Sequence, residues 1–342
     1  MYPKVSIIIL NWNGWKDTIE CLESLFQINY QNYNVILVDN GSEDNSLEKI
    51  REYCKGKLSI KSDFFKYNSN NKPLLLIEYS KNESEVLQYE KQEIIDLKSD
   101  SNLTIIKCKK NNGFAEGSNI GIRHAMKYIN PNYILLLNND TVVDKEFLEK
   151  LVDFAEKENK AGVVGSKTYF YDTPNTIQNS WNKINFYNGK IFSAGYGELD
   201  KEINKEIVKT DYVSGVCFLI KRDLLKKIGL LDPAYFAYWE DLDYSMRAKL
   251  AGYDCYYIPE AKIWHKVSQS SKKFSDFTTY LDTRNMIWFM KTYANTKQYF
   301  VFFTYFFVFR FFIISGSIII CHKNFKNFKA FFNGVLDGIK LA

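Results

Sequence analysis

Histidine and proline are scarce in this 342-residue chain, with three and six copies. Its six cysteines (Cys21, Cys54, Cys108, Cys217, Cys255 and Cys321) form no C-x-x-C pair, and the histidines are scattered. A structural zinc site or a disulfide framework is therefore not expected, and the spread suits a reducing compartment. Neither the phosphate loop G-x-x-x-x-G-K nor the dinucleotide fingerprint G-x-G-x-x-G occurs. No internal repeat is visible. The apolar run Val5–Leu10 is short and leads into polar Asn11-Trp12-Asn13-Gly14. That reads as a first strand meeting a turn, not as a signal peptide.

What is present is globular in character. Apolar residues make up 46% and charged residues 25%, which excludes wholesale disorder. The length suits one large domain or two ordinary ones. The charge is +5, and its placement matters. Residues 297–342 carry six basic side chains (Lys297, Arg310, Lys323, Lys326, Lys329 and Lys340) against Asp337 alone. Residues 1–296 are neutral overall. The same tail holds 14 of the 56 aromatic residues. A neutral body with a basic, aromatic tail argues against a nucleic-acid binder, whose charge should line a folded face, and points to a membrane surface.

Four apolar runs predict buried strands: Val5–Leu10, Val35–Val38, Leu103–Ile106 and Tyr133–Leu137. Helical spacing over 16–29 and between the later runs predicts an alternating, parallel α/β sheet. Ligands sit at the carboxyl ends of such strands. Residues 55–102 break the alternation and read as a surface insertion with one strand-like core, Leu74–Tyr79. Farther on come an expected strand at Tyr212–Ile220, a helix at Arg222–Ile228 and an acidic stretch at Asp232–Asp243.

The tail has two parts. Tyr299–Cys321 is long enough to span a bilayer, but Arg310 sits at its midpoint, where a charge costs about 2.5–3.5 kcal/mol. Interfacial or re-entrant binding is therefore expected ahead of a clean span. Residues 323–340 predict an amphipathic helix. Phe325, Phe328, Phe332, Val335, Leu336 and Ile339 form one face and the lysines the other.

Polar clusters follow the strands. Asp39-Asn40-Gly41-Ser42 places a carboxylate where it can accept from nucleobase or ribose groups, although such a tetrapeptide is also an ordinary turn. Asn111–Gly121 is rich in glycine and asparagine, which lets backbone approach a ligand. Asn138-Asn139-Asp140 delivers one carboxylate and two amides, oxygen donors suited to Mg²⁺ or Mn²⁺ held partly by a diphosphate. Glu240, Asp241 and Asp243 repel one another beside aromatics, a setting for a raised pKa and a carboxylate base; a solvated helix start is the plainer alternative. His265 could supply the further metal ligand that Asp140 needs.

In order, VSIIILNWNG (5–14), VDNGSEDNS (38–46), NNGFAEGSNIGI (111–122), LLLNNDT (135–141), GLLDPAYFAYWEDLDYSMRAKLAGY (229–253), WHK (264–266) and TRNMIWF (283–289) resemble the family 2 glycosyltransferases with the GT-A fold. The likeness is greatest to their rhamnosyltransferase-like branch and covers roughly residues 3–290, with 55–102 poorly matched. It implies a mixed, mainly parallel Rossmann-like sheet flanked by helices over residues 1–296. It also implies transfer of a sugar, with inversion, from a nucleotide diphosphate sugar linked to dTDP or UDP. The acceptor would be a hydroxyl of a glycan or lipid-linked molecule. By that likeness Asp241 is the base and Glu240 its catalytic neighbour. Asp140, at the last position of the Asp-x-Asp motif, and His265 bind Mg²⁺ or Mn²⁺. Asp39 contacts the nucleobase, and Asn11, Asn112, Gly113, Asn119 and Asn139 shape the nucleotide pocket. Arg247 and Arg284 are diphosphate or scaffold contacts. One position departs: Asn138 stands where the wider superfamily has Asp.

With residues 297–342 as a membrane-associated tail, the expected place of work is the cytoplasmic face of the cell membrane, in cell-surface polysaccharide synthesis. A nucleotidyltransferase would want a basic, glycine-rich loop after the first strand, where Asn11-Trp12-Asn13-Gly14-Trp15 stands instead. A non-catalytic nucleotide-sugar-binding protein would not need the intact Glu240-Asp241 and Asp140.

Overall fold

Hydrophobic runs without alternation should be covered on both faces, and they are. In β1 (Val5–Asn11), Val5, Ile7 and Ile9 enter one core while Ile8 enters a second on the opposite face of the sheet. The computed structural model describes residues 2–86, 102–201, 205–267, 275–321 and 324–341. Its main sheet also contains β2 (Tyr33–Asp39), β3 (Leu75–Ser80), β4 (Asn102–Lys107), β5 (Tyr133–Asn138), β6 (Thr141–Val143), β7 (Ala161–Phe170), β8 (Ile177–Asn179), β11 (Val208–Thr210), β12 (Cys217–Lys221) and β13 (Asp254–His265). The order is β11-β13-β7-β12-β5-β1-β2-β4-β3, with β6 on β13 and β8 on β7. Strands β5, β1, β2, β4 and β3 run parallel, and β12 enters antiparallel between β5 and β7. A separate hairpin pairs β9 (Asn182–Asn185) with β10 (Lys190–Ser193).

Helices α1 (Trp15–Leu25), α2 (Ser46–Cys54), α3 (Lys81–Val86), α4 (Gly113–His124), α5 (Phe147–Lys157), α6 (Arg222–Ile228) and α7 (Glu240–Leu250) connect or cover the strands. Two expectations shift. The strand foreseen at Tyr212–Ile220 begins only at Cys217; just before it, Gly215 N turns to Asp241 at the start of α7 while Val216 O still bonds Asn138 N of β5. The stretch 55–102 holds the strand foreseen at Leu74–Tyr79, β3 at the sheet's edge beside β4, but it is not wholly superficial. Lys72 pairs with Glu23 at 3.0 Å with both side chains almost fully buried, and Tyr53 Oη also donates to Glu23. A buried charge needs such partners, so this segment is anchored. Its residues 87–101 lie outside the described residues.

The C-terminal helices α8 (Asp276–Tyr293), α9 (Thr296–Ile320) and α10 (Phe325–Lys340) pack on the body through one apolar cluster. That cluster joins Tyr212, Tyr235 and Trp239 to Phe302, Phe306 and Phe331. Helix α10 crosses α8 at its glycines: a Cβ on Gly334 or Gly338 would lie 2.7 Å from Tyr280 O or Arg284 O. This crossing divides the expected apolar face: Val335 packs inward with Phe328 and Ile339 partly covered, and the rest stays outward. The stripe turned inward is Asn327, Phe331, Gly334, Val335 and Gly338, while Phe325, Phe332 and Leu336 remain exposed. Small residues let the backbones approach, so they, and not the phenylalanines, set the rotation of the helix. Helix α9 is long and apolar enough to cross a membrane.

Candidate functional site

The parallel register brings Asn11 beside Asp39 at the carboxyl ends of β1 and β2, with Leu10 opposite Asn138 on β5. A directional hydrogen-bond chain links them. Asn139 Nδ2 donates to Thr18 Oγ1 (2.9 Å), Thr18 Oγ1 to Asn11 Oδ1 (2.8 Å), and Asn11 Nδ2 to Asp39 Oδ1 (2.8 Å). Ser42 Oγ also donates to Asp39 Oδ1 (2.6 Å) and its N–H to Oδ2 (3.3 Å). Asn11 and Asp39 are both buried, so these partners offset the cost of desolvating them.

The next layer is the start of α4. Asn40 Oδ1 accepts from both nitrogens of Asn112 at 3.0 Å, and Asn40 Nδ2 donates to Asn111 Oδ1 and Gly113 O. Gly113 has φ +79°, and a Cβ there would lie 2.4 Å from Phe236 O. Glycine is needed for both reasons. The contact locks the asparagine segment against the aromatic loop before α7.

Asp140 and His265 meet because β6 pairs antiparallel with β13, opposing Thr141 to His265. His265 Nε2 lies 3.0 Å from Asp140 Oδ1 and 3.5 Å from Asn138 Nδ2. The other ring nitrogen, Nδ1, is 2.7 Å from Gln178 Oε1. An amide oxygen only accepts, so Nδ1 carries the hydrogen and Nε2 is aimed at Asp140. One carboxylate oxygen and one imidazole nitrogen fit a borderline-hard divalent cation. Among the described residues no three His, Cys, Asp or Glu side chains converge, so such an ion would need oxygens from a bound ligand.

Glu240 and Asp241 open α7. Asp241 Oδ2 accepts from Gly215 N (2.8 Å) and Oδ1 from Leu242 N (2.8 Å). Burial nonetheless raises its pKa to about 6. Glu240 is buried with Oε2 unpartnered, and burial, reinforced by the charge of Asp241, pushes its pKa well above the carboxylate range. The preceding loop holds three non-glycine residues at positive φ: Phe236 (+65°), Tyr238 (+68°) and Trp239 (+74°). Each such conformation costs about 1–3 kcal/mol. Asn285 offsets this cost, its amide nitrogen reaching Tyr235 O (3.0 Å), Ala237 O (2.9 Å) and Tyr238 O (2.7 Å). Trp239 Nε1 adds a bond to Asp282 (2.8 Å).

Three residues named from sequence are turned to scaffolding. Asn119 spends both ends of its amide on the Leu231 backbone. Arg247 binds Asp243, Ile228 O and Leu230 O. Arg284 binds Asn285, Ala234 O and Tyr235 O. Thr18, Gln178, Gly215 and Asn285 escaped the reading. Asn285 adjoins the quoted Arg284 and could have been found there; Gln178 sits in a stretch with no signal.

A twisted, mainly parallel sheet with this polar constellation at its strand ends is the GT-A arrangement of nucleotide-sugar transferases. Solved structures share it. A mannosyltransferase from Pyrobaculum calidifontis in complex with GDP-Man and Mn²⁺ superposes with TM-score 0.54 at 13% identity, covering 100% of this chain and 85% of the other. GalNAc-T7 with UDP, GalNAc and Mn²⁺ gives 0.56 at 14% identity, covering 85% and 50%. The model "Glycosyltransferase like family 2" matches residues 83–286 and "Glycosyl transferase family 2" residues 6–73. The chain belongs to glycosyltransferase family 2.

Among relatives, the low-salt glycan biosynthesis hexosyltransferase Agl10 of Haloferax volcanii is 25% identical over 181 residues, 51% of this chain and 56% of the relative. Rhamnosyltransferase WbbL of Escherichia coli is 25% identical over 170 residues, 47% and 64%. An N-acetylglucosaminyl-diphospho-decaprenol L-rhamnosyltransferase of Mycobacterium tuberculosis is 24% identical over 151 residues, 41% and 48%. The matches thus span about half to two thirds of those relatives. The fold and family expected from the motifs are both met, and two of these relatives carry the rhamnosyltransferase name.

Proposed function

We propose that this chain moves a sugar from a nucleoside diphosphate donor to a hydroxyl of a glycan or lipid-linked acceptor, with inversion, at the cytoplasmic face of the membrane. The observation that carries the reading is Asp241. Its carboxylate is fixed by two backbone N–H groups yet held by burial near a pKa of about 6, the setting of a general base. As the acceptor oxygen bonds to the anomeric carbon, the carbon–oxygen bond to the diphosphate breaks, and Asp241 takes the acceptor's proton. Asp140 and His265 would hold a divalent cation, Mg²⁺ or Mn²⁺, which supplies charge neutralisation for the departing diphosphate. Asp39, oriented by Asn11 and Ser42, faces the nucleoside. The Mn²⁺ and nucleotide complexes of the structural neighbours, and relatives named for glycan synthesis and lipid-linked substrates, support this reading.

The tail supports the membrane assignment. Phe300, Phe309, Phe312, Ile313 and Ile320 on α9 are all more than half exposed. The helix is read as lying in the headgroup region. Arg310 donates to Asn188 O (3.3 Å), so a crossing helix would drag the β9–β10 turn into hydrocarbon, where its backbone would go unpaired.

The test is a donor panel by thermal shift with Mg²⁺ and Mn²⁺, followed by NMR of the product anomer. A stabilising donor, release of nucleoside diphosphate and an inverted linkage are expected. No stabilising donor and no such release would end the proposal, and pyrophosphate release would replace it with nucleotidyl transfer.

A further inference from the structure

Residues 181–197 repeat, in the middle of the chain, the composition of the tail. They hold Trp181, Phe186, Tyr187, Phe192 and Tyr196 with Lys183 and Lys190, and no acidic residue. In the structure this stretch is the β9–β10 hairpin and the turn that follows it, outside the main sheet. A two-stranded hairpin needs a packed face to persist. Here Ile184 and Phe186 supply it, joining the cluster of Phe302, Phe306 and Phe289. The outward side is also apolar: Tyr187 is 45% exposed, Ile191 40%, Phe192 55% and Tyr196 56%. Such a patch on a soluble surface marks an interaction site.

The hairpin is docked on the tail. The ring of Phe302 lies over Gly189, where a Cβ would come within 2.9 Å, and Arg310 reaches Asn188 O. The exposed side chains of the hairpin and those of α9 therefore belong to adjoining elements. We propose that the β9–β10 hairpin is a second lipid-contacting element, forming with α9 and α10 one surface for an anionic bilayer. This rests on the membrane reading of the tail and extends it to the body.

Charge and side-chain type favour lipid over protein. Aromatics with lysines and no carboxylate of the hairpin's own, Asp211 beside it being paired with Lys249, suit the headgroup boundary, where rings sit at the interface and ammonium groups reach phosphate. Lys183 already lies over the Trp181 ring at 5.3 Å. A second copy meeting the same face would oppose two basic surfaces. The hairpin is also wired to the catalytic loop. Ile184 N donates to Asp211 Oδ2 (3.1 Å) and Asp211 N to Asn182 O (2.9 Å). Four residues on, Gly215 N holds Asp241. A bilayer touching the hairpin would thus rest on an element joined through Asp211 to the segment that holds Asp241.

The test uses the full chain with Cys321→Ser, whose other five cysteines are buried. Single cysteines replace Phe192, Phe312 or Asn159 and carry an environment-sensitive dye. Each is titrated with vesicles of phosphatidylglycerol and phosphatidylcholine, or of phosphatidylcholine alone. Blue shifts at Phe192→Cys and Phe312→Cys with anionic vesicles, and none at Asn159→Cys, are expected. Ile191→Ser with Phe192→Ser should weaken vesicle partitioning about tenfold. A shift at Phe312→Cys without one at Phe192→Cys overturns the hairpin proposal alone. No shift at either position overturns the membrane reading beneath it. A Phe192→Cys shift already present without vesicles and lost on dilution assigns the face to a second copy, and overturns it too.

Discussion

Gly215 holds Asp241: its N–H donates to Oδ2 at 2.8 Å, and the carbonyl of the next residue, Val216, accepts from Asn138 N at 3.0 Å. One turn of backbone therefore bonds both the candidate base and the strand end that leads to Asp140. The proposed acid–base and metal chemistries share one backbone support.

Asp241→Asn keeps the shape but cannot take a proton. Transfer should fall about 10²- to 10⁴-fold while donor affinity by calorimetry stays unchanged. The wild-type pH profile follows from burial, which raises Asp241 to about 6. The base works only when ionised, so kcat/KM should rise with pH through about 6 and then level. Wild-type turnover in the variant, or a rate that falls over that range, would remove Asp241 from the role.

Gln178 is expected to act through His265. Gln178→Ala frees the ring and should weaken Mn²⁺ binding in the presence of donor nucleotide about 10- to 100-fold. His265→Ala and Asp140→Ala should weaken it further, and chelator should abolish transfer in the native protein. Calorimetry checks all three; Mn²⁺ affinity indifferent to Asp140 and His265 counts against the cation site.

Glu240 carries a stability signature. Its folded pKa lies above the unfolded one, so its favourable contribution is complete below about pH 4.5 and is lost as pH rises through the folded value. Glu240→Gln has no such loss. Melting curves of the two proteins should coincide most closely in acid and diverge as pH rises, with the variant the more stable. A gap that is constant with pH would show that Glu240 is not strained by burial.

Asn285→Ala takes the amide from the Ala237 and Tyr238 carbonyls and leaves Tyr235 O to Arg284 and Ala237 N. It should destabilise the fold by about 1–3 kcal/mol and lower kcat more than donor affinity, since the loop leads directly into the proposed base, Asp241. Unfolding and initial-rate measurements separate these effects.

Gly338→Ala sets two opposing terms against each other. Alanine favours a helix by about 1 kcal/mol, but overpacking typically costs about 1–3 kcal/mol. With Arg284 O 2.7 Å from the new methyl group, the steric term should win and the melting temperature should fall.

The parallel half of the sheet was legible because continuous β-branched runs such as Val5–Leu10 have few other uses. The antiparallel half was less so. The strand expected from Tyr212 starts only at Cys217, after Gly215 N has bonded Asp241 from a distant helix, a contact no local pattern records. Asp140 and His265 were nameable from their neighbours, but their approach depends on the Thr141–His265 register. Arg247, Arg284 and Asn119 have the side chains that ligand sites use. Only the structure shows their groups spent on Ile228, Ala234 and Leu231 carbonyls. The apolar face of α10 was legible, but the stripe that packs inward was not: a helix wheel weighs hydrophobicity and ignores how closely Gly334 and Gly338 let α8 approach.

That crossing has a mechanical meaning. With backbone seated on backbone, and Lys291 Nζ gripping Ile339 O and Leu341 O at 3.0 Å, α10 is mounted on α8 as a bracket, not hung on a tether. Helix α8 in turn carries the Asn285 that shapes the loop before Asp241. Any surface the tail rests on is held at one height and one tilt from the Asp241 carboxylate, and under the proposed function the acceptor's reach would have to match that height.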